Sequence, residues 1–581
     1  MTDHADTQPQ EGHVLLRIVA LAVLALVLGT IASLGAIAFV ECVRLINDAL
    51  FISPRSRVLY ERTPWLIAAA TILVPALGGL LVGVILRRTS DEQRPLGPAD
   101  AIGAVQTRRP LPSLRAGLAS TVAAVISLGC GASVGQYGPM VYLGALAGGL
   151  ATRLKIPVRN LQAIAIACGV AAAISTAFNA PIAGLVFAHE VILRHYSIQA
   201  FAPTTVASAT GYVIANVIFG RPPLFLVAFD GVGHSHEFLL FALIGVLAAL
   251  LAVAYMRCIL AFTTAAARSP LPPELRPALA GLVVGLVALA LPDVMGIGKE
   301  TLRFATIEGA FEAWELGLIV VAKIVLTALC IGFGFAGGVF SPALLIGVLF
   351  GALCWTSIDA LTTVPNSGIV VYAICGMMAL TSPVIGAPLT TILIVFELTR
   401  SYDLTIAAMV SVVFANLIAY RIFARSLFDV QLVRRGIDLS NGRDQALLAS
   451  GKVSDLASRE FVHCTSKEAV SIVLDRLSTA GRAEAVVLDT DGKYLGIARA
   501  QDARGSEDRP VSAIAKRGTV TFDENTTLWQ AMLAIEGFIG DAVPVVSSKS
   551  GRLIGMVAEG DLIGAYLTTV HDLRREENET V

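Results

Sequence analysis

Residues 178–190 read Phe178-Asn179-Ala180-Pro181-Ile182-Ala183-Gly184-Leu185-Val186-Phe187-Ala188-His189-Glu190, and residues 385–397 read Ile385-Gly386-Ala387-Pro388-Leu389-Thr390-Thr391-Ile392-Leu393-Ile394-Val395-Phe396-Glu397. In both stretches Ala-Pro opens an apolar run that reaches a glutamate ten residues after the alanine. Proline suits the first turn of a helix, where its missing N–H leaves no bond unmade. Each stretch is therefore read as a helix start, and the pair as two copies of one substructure. A second pair lies upstream. Gly135-Gln136-Tyr137-Gly138-Pro139 ends 42 residues before Pro181, and Gly338-Val339-Phe340-Ser341-Pro342 ends 46 residues before Pro388. Matched order and near-matched spacing divide this part of the chain into two related halves.

The solvent of those halves follows from composition. Of 581 residues, 55% are hydrophobic and 15% charged, far below the ~25% charged of soluble domains. Apolar segments dominate to about residue 424, whereas residues 431–581 are rich in Arg, Lys, Asp and Glu. A polytopic membrane domain followed by a soluble region is expected. The first 13 residues are polar, and the run 14–40 is too long for a signal-peptide core, so it is read as the first membrane helix. Later runs are cut by Gly and Pro clusters at 135–139, 180–184, 332–342 and 386–388. Broken helices are expected there, because irregular backbone at membrane depth must be buried in protein or line a cavity. Interrupted helices in matching places of two halves point to a transport site at their interface.

Several function classes are excluded. A net charge of −1 leaves no electrostatic footprint for nucleic acid. The eight cysteines form no CxxC or metal-like spacing, and no further ligands converge on His234-Ser235-His236. Neither a metal nor a required cofactor is expected. No nucleophile–base pair stands out, so the chain is not read as an enzyme.

The soluble region has its own repeat. Val453-Ser454-Asp455-Leu456 with Gly496–Asp502 recurs as Val511-Ser512-Ala513-Ile514 with Gly555–Asp561, at offsets of 58 and 59 residues. Strand-like runs 485–488, 542–546 and 553–557 alternate with helical stretches 466–477 and 527–535. The pattern resembles a CBS-domain tandem, which implies pairing within the chain and a candidate site for an adenine nucleotide. Asp502 and Asp561 fall at the ribose-binding acid of that family, but Ala498 and Ala558 replace the usual neighbouring Ser or Thr. An empty tandem that steadies the protein is the alternative.

An anion in a membrane needs its hydration replaced by donors that do not trap it, and helix N-termini supply them. A Gly-x-x-x-Pro turn opening a helix suits this purpose, and there are two. With Phe178–Pro181, Gly386–Pro388 and Phe396-Glu397, these turns resemble the signature motifs of the CLC family of anion channels and anion/proton exchangers, over nearly the whole chain. The resemblance implies an all-α membrane protein of two inverted repeats with broken helices, plus a C-terminal α/β CBS pair. The expected divisions are a cytoplasmic tail at 1–13, a membrane domain at 14–430 with halves at about 14–220 and 237–430, and a linker at 431–450. CBS domains at 451–507 and 508–570 and a tail at 571–581 complete them. A homodimer in the inner cell membrane is implied, each subunit with its own pore for chloride or a similar anion. The backbone amides of Val339 and Phe340, with Ser341 beside them, would hold a central anion, and those near Gln136, Tyr137 and Gly138 an outer one.

The departures bear on mechanism. The family's gating glutamate is replaced by Tyr137, and its inner proton-handling glutamate by Val191. The segment Pro95-Leu96-Gly97-Pro98-Ala99 stands for the first motif, putting Leu96 in place of its serine, and Phe428 stands where a tyrosine hydroxyl is usual. Tyr137 is read as an uncharged phenolic gate, and transport as passive or weakly proton-coupled. Alternatives are a transporter for bicarbonate, nitrate or fluoride, a chloride/proton antiporter, and a membrane-embedded CBS sensor with a vestigial pore.

Other polar residues have plainer readings. Glu190 and Glu397 suit helix-terminus bonds better than ion handling, and His189 and His195 suit packing better than a proton relay. Lys323 either raises the pore potential or snorkels to an interface. Arg421, Arg425, Arg434 and Arg435 precede the CBS tandem, placing it in the cytoplasm.

Overall fold

The computed structural model describes residues 11–53, 63–89, 92–153, 160–220, 231–517, 520–538, 540 and 542–578. The chain divides into two compact units, one extending to Arg435 and the other spanning Gly436–Asn578.

In the first unit, eight helices among the described residues are long and apolar enough to cross a membrane. The first, Glu11–Ala49, outruns the expected 14–40 at both ends. The two stretches that open the sequence argument fold alike. Leu161–Phe178 and Ile369–Ile385 are helices that end on left-handed residues, Asn179 at φ 57° and Gly386 at φ 71°. Each is followed by one non-helical alanine and a new helix beginning at proline, Pro181–Phe187 and Pro388–Thr399. The first of these continues through the wider turn Ala188–Leu193. Arg194 (φ 59°) and Arg400 (φ 53°) then close the copies in the same left-handed region. Ser197 and Ser401 cap the next helices by accepting the amides of Ala200 and Leu404. The repeat is thus a repeat of backbone conformation.

The glutamate that ends each copy serves the other copy. Glu397 accepts the N–H groups of Ile182 (2.8 Å) and Ala183 (2.7 Å) at the start of the first-half helix. Glu190 accepts those of Leu389 and Thr390 (both 2.9 Å) and the Thr390 hydroxyl (2.6 Å) at the start of the second. Both groups meet orphan donors of a helix N-terminus, where negative charge is favoured. The exchange pins the two halves together.

Of its two expected roles, Lys323 does not take that of snorkelling to an interface. It is fully buried in the Ala313–Gly332 helix, and Nζ donates to the carbonyls of Val294 (2.9 Å) and Gly296 (2.8 Å). Carbonyl acceptors close at hand satisfy the amine inside the fold, so it does not snorkel. His189 is likewise packed, with ring nitrogens against the carbonyl of His195 (3.0 Å) and the hydroxyl of Thr204 (3.1 Å).

The second unit holds two three-stranded sheets of one design. His463–Thr465 runs parallel to Glu484–Leu488, which pairs antiparallel with Tyr494–Arg499. Phe522–Asp523, Ala542–Val546 and Leu553–Ala558 repeat the arrangement. Their inner faces form separate cores around Val487 and Val545, bridged by a third cluster that includes Val486, Ile497 and Met556. The helix expected from residue 466 begins at Val470. Glu468 accepts the amide (2.8 Å) and hydroxyl of Thr465 and closes a turn there. Extended Ala469 pairs with Pro510 instead.

Candidate functional site

The two Gly-x-x-x-Pro turns meet. Gly135 N–H donates to the Gly338 carbonyl (2.8 Å) and Gly338 N–H to the Gly135 carbonyl (2.7 Å), an antiparallel bridge of the kind a two-fold relation between the halves requires. Only glycine permits this approach. A Cβ on Gly135 would lie 2.7 Å from the Gly338 oxygen, and one on Gly338 would lie 2.7 Å from the Gly138 nitrogen. The long helices Tyr137–Ala151 and Phe340–Leu361 start from this bridge. Among the described residues, no partner takes the N–H groups of Tyr137, Gly138, Val339 or Phe340. Two helix N-termini therefore present open donors side by side.

These four residues line one cavity of about 560 Å³, together with Leu96, Gly97, Pro98 and Phe428. Gln136 and Ser341 stand behind it, both buried, with the Gln136 N–H donating to the Ser341 hydroxyl oxygen (3.2 Å). Tyr137 is 2% exposed. Its ring lies 4.1 Å from that of Phe178 and 5.4 Å from that of Phe340, and the two phenylalanines are 5.3 Å apart. Tyr137 and Phe340, packed with Phe178, thus put aromatic rings in the cavity wall beside the open amides.

The start of the Pro98–Gln106 helix offers the cavity no such open donors. Gly97 N–H donates to the Asp100 carboxylate (2.8 Å), Leu96 N–H donates to the Ser120 hydroxyl (3.1 Å), and Pro98 has no N–H. Leu96, Gly97 and Pro98 therefore form wall rather than free donors. Sequence reasoning missed the guanidinium groups at the mouth. Arg87, Arg94, Arg276, Arg434 and Arg435 all line the cavity, with Glu92 beside them. The signal was available in the Arg-rich ends of the neighbouring segments, but it was read for orientation alone. Arg434 and Arg435 are the last two residues of the first unit before the second begins.

In the soluble unit, Asp502 pairs with Lys516 (3.0 Å) and Asp561 accepts the Ala558 amide (3.1 Å). Both candidate ribose-binding acids already have local partners. Among the described residues no group of three or more His, Cys, Asp and Glu could hold a metal ion.

The comparisons agree with this architecture. A ClcB-like protein of Ralstonia nicotianae is 32% identical over 421 residues, covering 71% of this chain and 96% of its own. A slow cyanobacterial Cl−/H+ antiporter shares the fold with TM-score 0.65 at 24% identity, over 71% of this chain and 97% of its own. A eukaryotic CLC transporter matches 94% of this chain and 98% of its own, with TM-score 0.62 at 20% identity. The CBS domain family matches residues 511–568. The voltage gated chloride channel family matches residues 78–420, and with the paired helix starts and open amides around one cavity this chain belongs to it.

Proposed function

We propose that the protein carries small monovalent anions, chloride first, across the inner membrane as a homodimer, without tight proton coupling. One observation carries the reading: four residues whose backbone N–H groups have no partner among the described residues, at two helix N-termini, line one cavity, and the acid in the wall of that cavity, Glu92, pairs with Arg94. Such donors replace hydration without a full charge to trap the ion. Tyr137 serves as the gate, since its ring stands in the cavity wall beside those donors and its phenol is uncharged at working pH. Val339, Phe340 and Ser341 hold the central anion, and Gln136, Tyr137 and Gly138 the outer one.

The arginine-lined mouth collects anions, and the positive-inside bias of Arg421, Arg425, Arg434 and Arg435 supports a cytoplasmic CBS pair. Exposed apolar residues, Ile182 and Leu389 on the paired helices and Phe201 on the helix Ile198–Tyr212, support a dimer or lipid face there. The CBS pair acts as a scaffold, because Asp502 and Asp561 are committed to local partners. Chloride efflux from proteoliposomes with pH followed at the same time tests the reading. Loss of anion movement in Tyr137→Glu at neutral pH, with recovery in acid, would show that position 137 is the gate. An unchanged rate at both pH values would remove it from that role.

A further inference from the structure

Inside the arginine-lined mouth one acid is held as an anion would be. The Asp100 carboxylate accepts both guanidinium nitrogens of Arg94 (Nη2 at 2.9 Å, Nη1 at 3.2 Å), Nη1 of Arg435 (2.9 Å) and the N–H of Gly97 (2.8 Å). Two guanidinium groups and a helix N-terminal amide are what an inorganic anion would seek in this cavity. Arg94, Arg435 and Gly97 line the cavity, whereas the Asp100 side chain is only 5% exposed. Arg94 also pairs with the outlying Glu92, so the two arginines are balanced by two acids at rest. Tyr142, whose buried hydroxyl has no partner among the described residues, lies within electrostatic reach of Asp100 and Arg94.

We infer that Asp100 is a tethered anion that competes with the permeating ion for Arg94, Arg435 and the Gly97 amide, setting the affinity of the inner mouth. The device is a carboxylate at a helix N-terminus, on the Pro98–Gln106 helix rather than at position 137. This inference rests on the reading that anions occupy the cavity.

Chloride titration of the purified full-length protein by calorimetry tests it separately from transport. Asp100→Asn keeps an acceptor for the Gly97 amide and removes the charge. The half-saturating chloride concentration is expected to fall about tenfold, the order produced by removing one unit charge within ~10 Å in a partly screened cavity. Glu92→Gln, at the solvent end of Arg94, should change it less than twofold. In an Arg435→Gln background the gain from Asp100→Asn should shrink below threefold, because one of the two contested guanidinium groups is gone. A melting temperature close to wild type for Asp100→Asn, with unchanged or weaker chloride binding, would reduce Asp100 to a helix cap and overturn the inference. If Asp100→Asn does not fold, Arg435→Gln alone decides: weaker chloride binding is expected, and unaltered binding overturns the inference. Absence of flux in wild-type liposomes would instead count against the proposed function, since calorimetry reads binding alone.

Discussion

Replacing Glu397 by alanine tests the exchange that holds the two halves together. The substitution removes the acceptor of two backbone N–H groups, at Ile182 and Ala183. Hydrogen bonds to charged groups contribute about 1.5–3 kcal/mol each, so losing both costs roughly 3–6 kcal/mol if nothing replaces the carboxylate. Water is a poor substitute there, because Ile182 and Leu389 are exposed apolar residues of the membrane unit. Glu397→Gln keeps one acceptor oxygen and should lose about half as much. Membrane proteins of this size unfold irreversibly, so the relevant quantity is a half-life. Detergent-solubilised protein would be held at a fixed temperature and the surviving monodisperse fraction read by size exclusion. Every 1.36 kcal/mol taken from the unfolding barrier shortens the half-life about tenfold. Glu397→Ala should shorten it by at least tenfold and Glu397→Gln by less. A half-life for Glu397→Ala within twofold of wild type would show that the exchange between halves is incidental.

Gly338→Ala should abolish recovery of folded protein, because the new Cβ would lie 2.7 Å from the Gly138 nitrogen, and fluorescence-detected size exclusion would show it. Lys323→Met keeps the side-chain length but strands the carbonyls of Val294 and Gly296, and at about 1–3 kcal/mol for each unsatisfied group it should lower thermal stability by several degrees. In the CBS pair, the amide of Thr465, aided by Arg476, holds the Glu468 carboxyl below its usual range. A depressed native value contributes stability that is complete above the unfolded value near 4.3 and lost as pH falls through the native one. The stability gap between wild type and Glu468→Gln should therefore be constant from pH 7 to about 5 and close below about 4, as read by scanning fluorimetry. Titration of the whole protein with ATP, AMP or adenosine should give no heat, and a saturable signal from any of them would restore a sensing role to the tandem.

The fold was legible because its repeat is written in residues with one structural meaning. Pro181 and Pro388 can start helices but not continue them, and the conspicuous glycines of both turns occupy places where backbones touch. The partners of Glu190 and Glu397 were not legible, since nothing in either stretch says that each glutamate reaches the other copy. Much the same holds for the site. The motif order located Tyr137, Gly138, Val339 and Phe340, but Asp100 is three residues from Gly97 and 335 from Arg435, and only the fold brings all three together. Lys323 shows the same limit, because its acceptors belong to a loop 27 to 29 residues away that no periodicity joins to it.

Reconstituted protein loaded with chloride would test the central claim most directly, with efflux and external pH recorded together and nitrate, bicarbonate and fluoride offered in turn. Rapid chloride efflux with no proportionate pH change is the predicted result. Efflux locked to a fixed proton stoichiometry would contradict it, as would a pathway that passes another of these anions and excludes chloride.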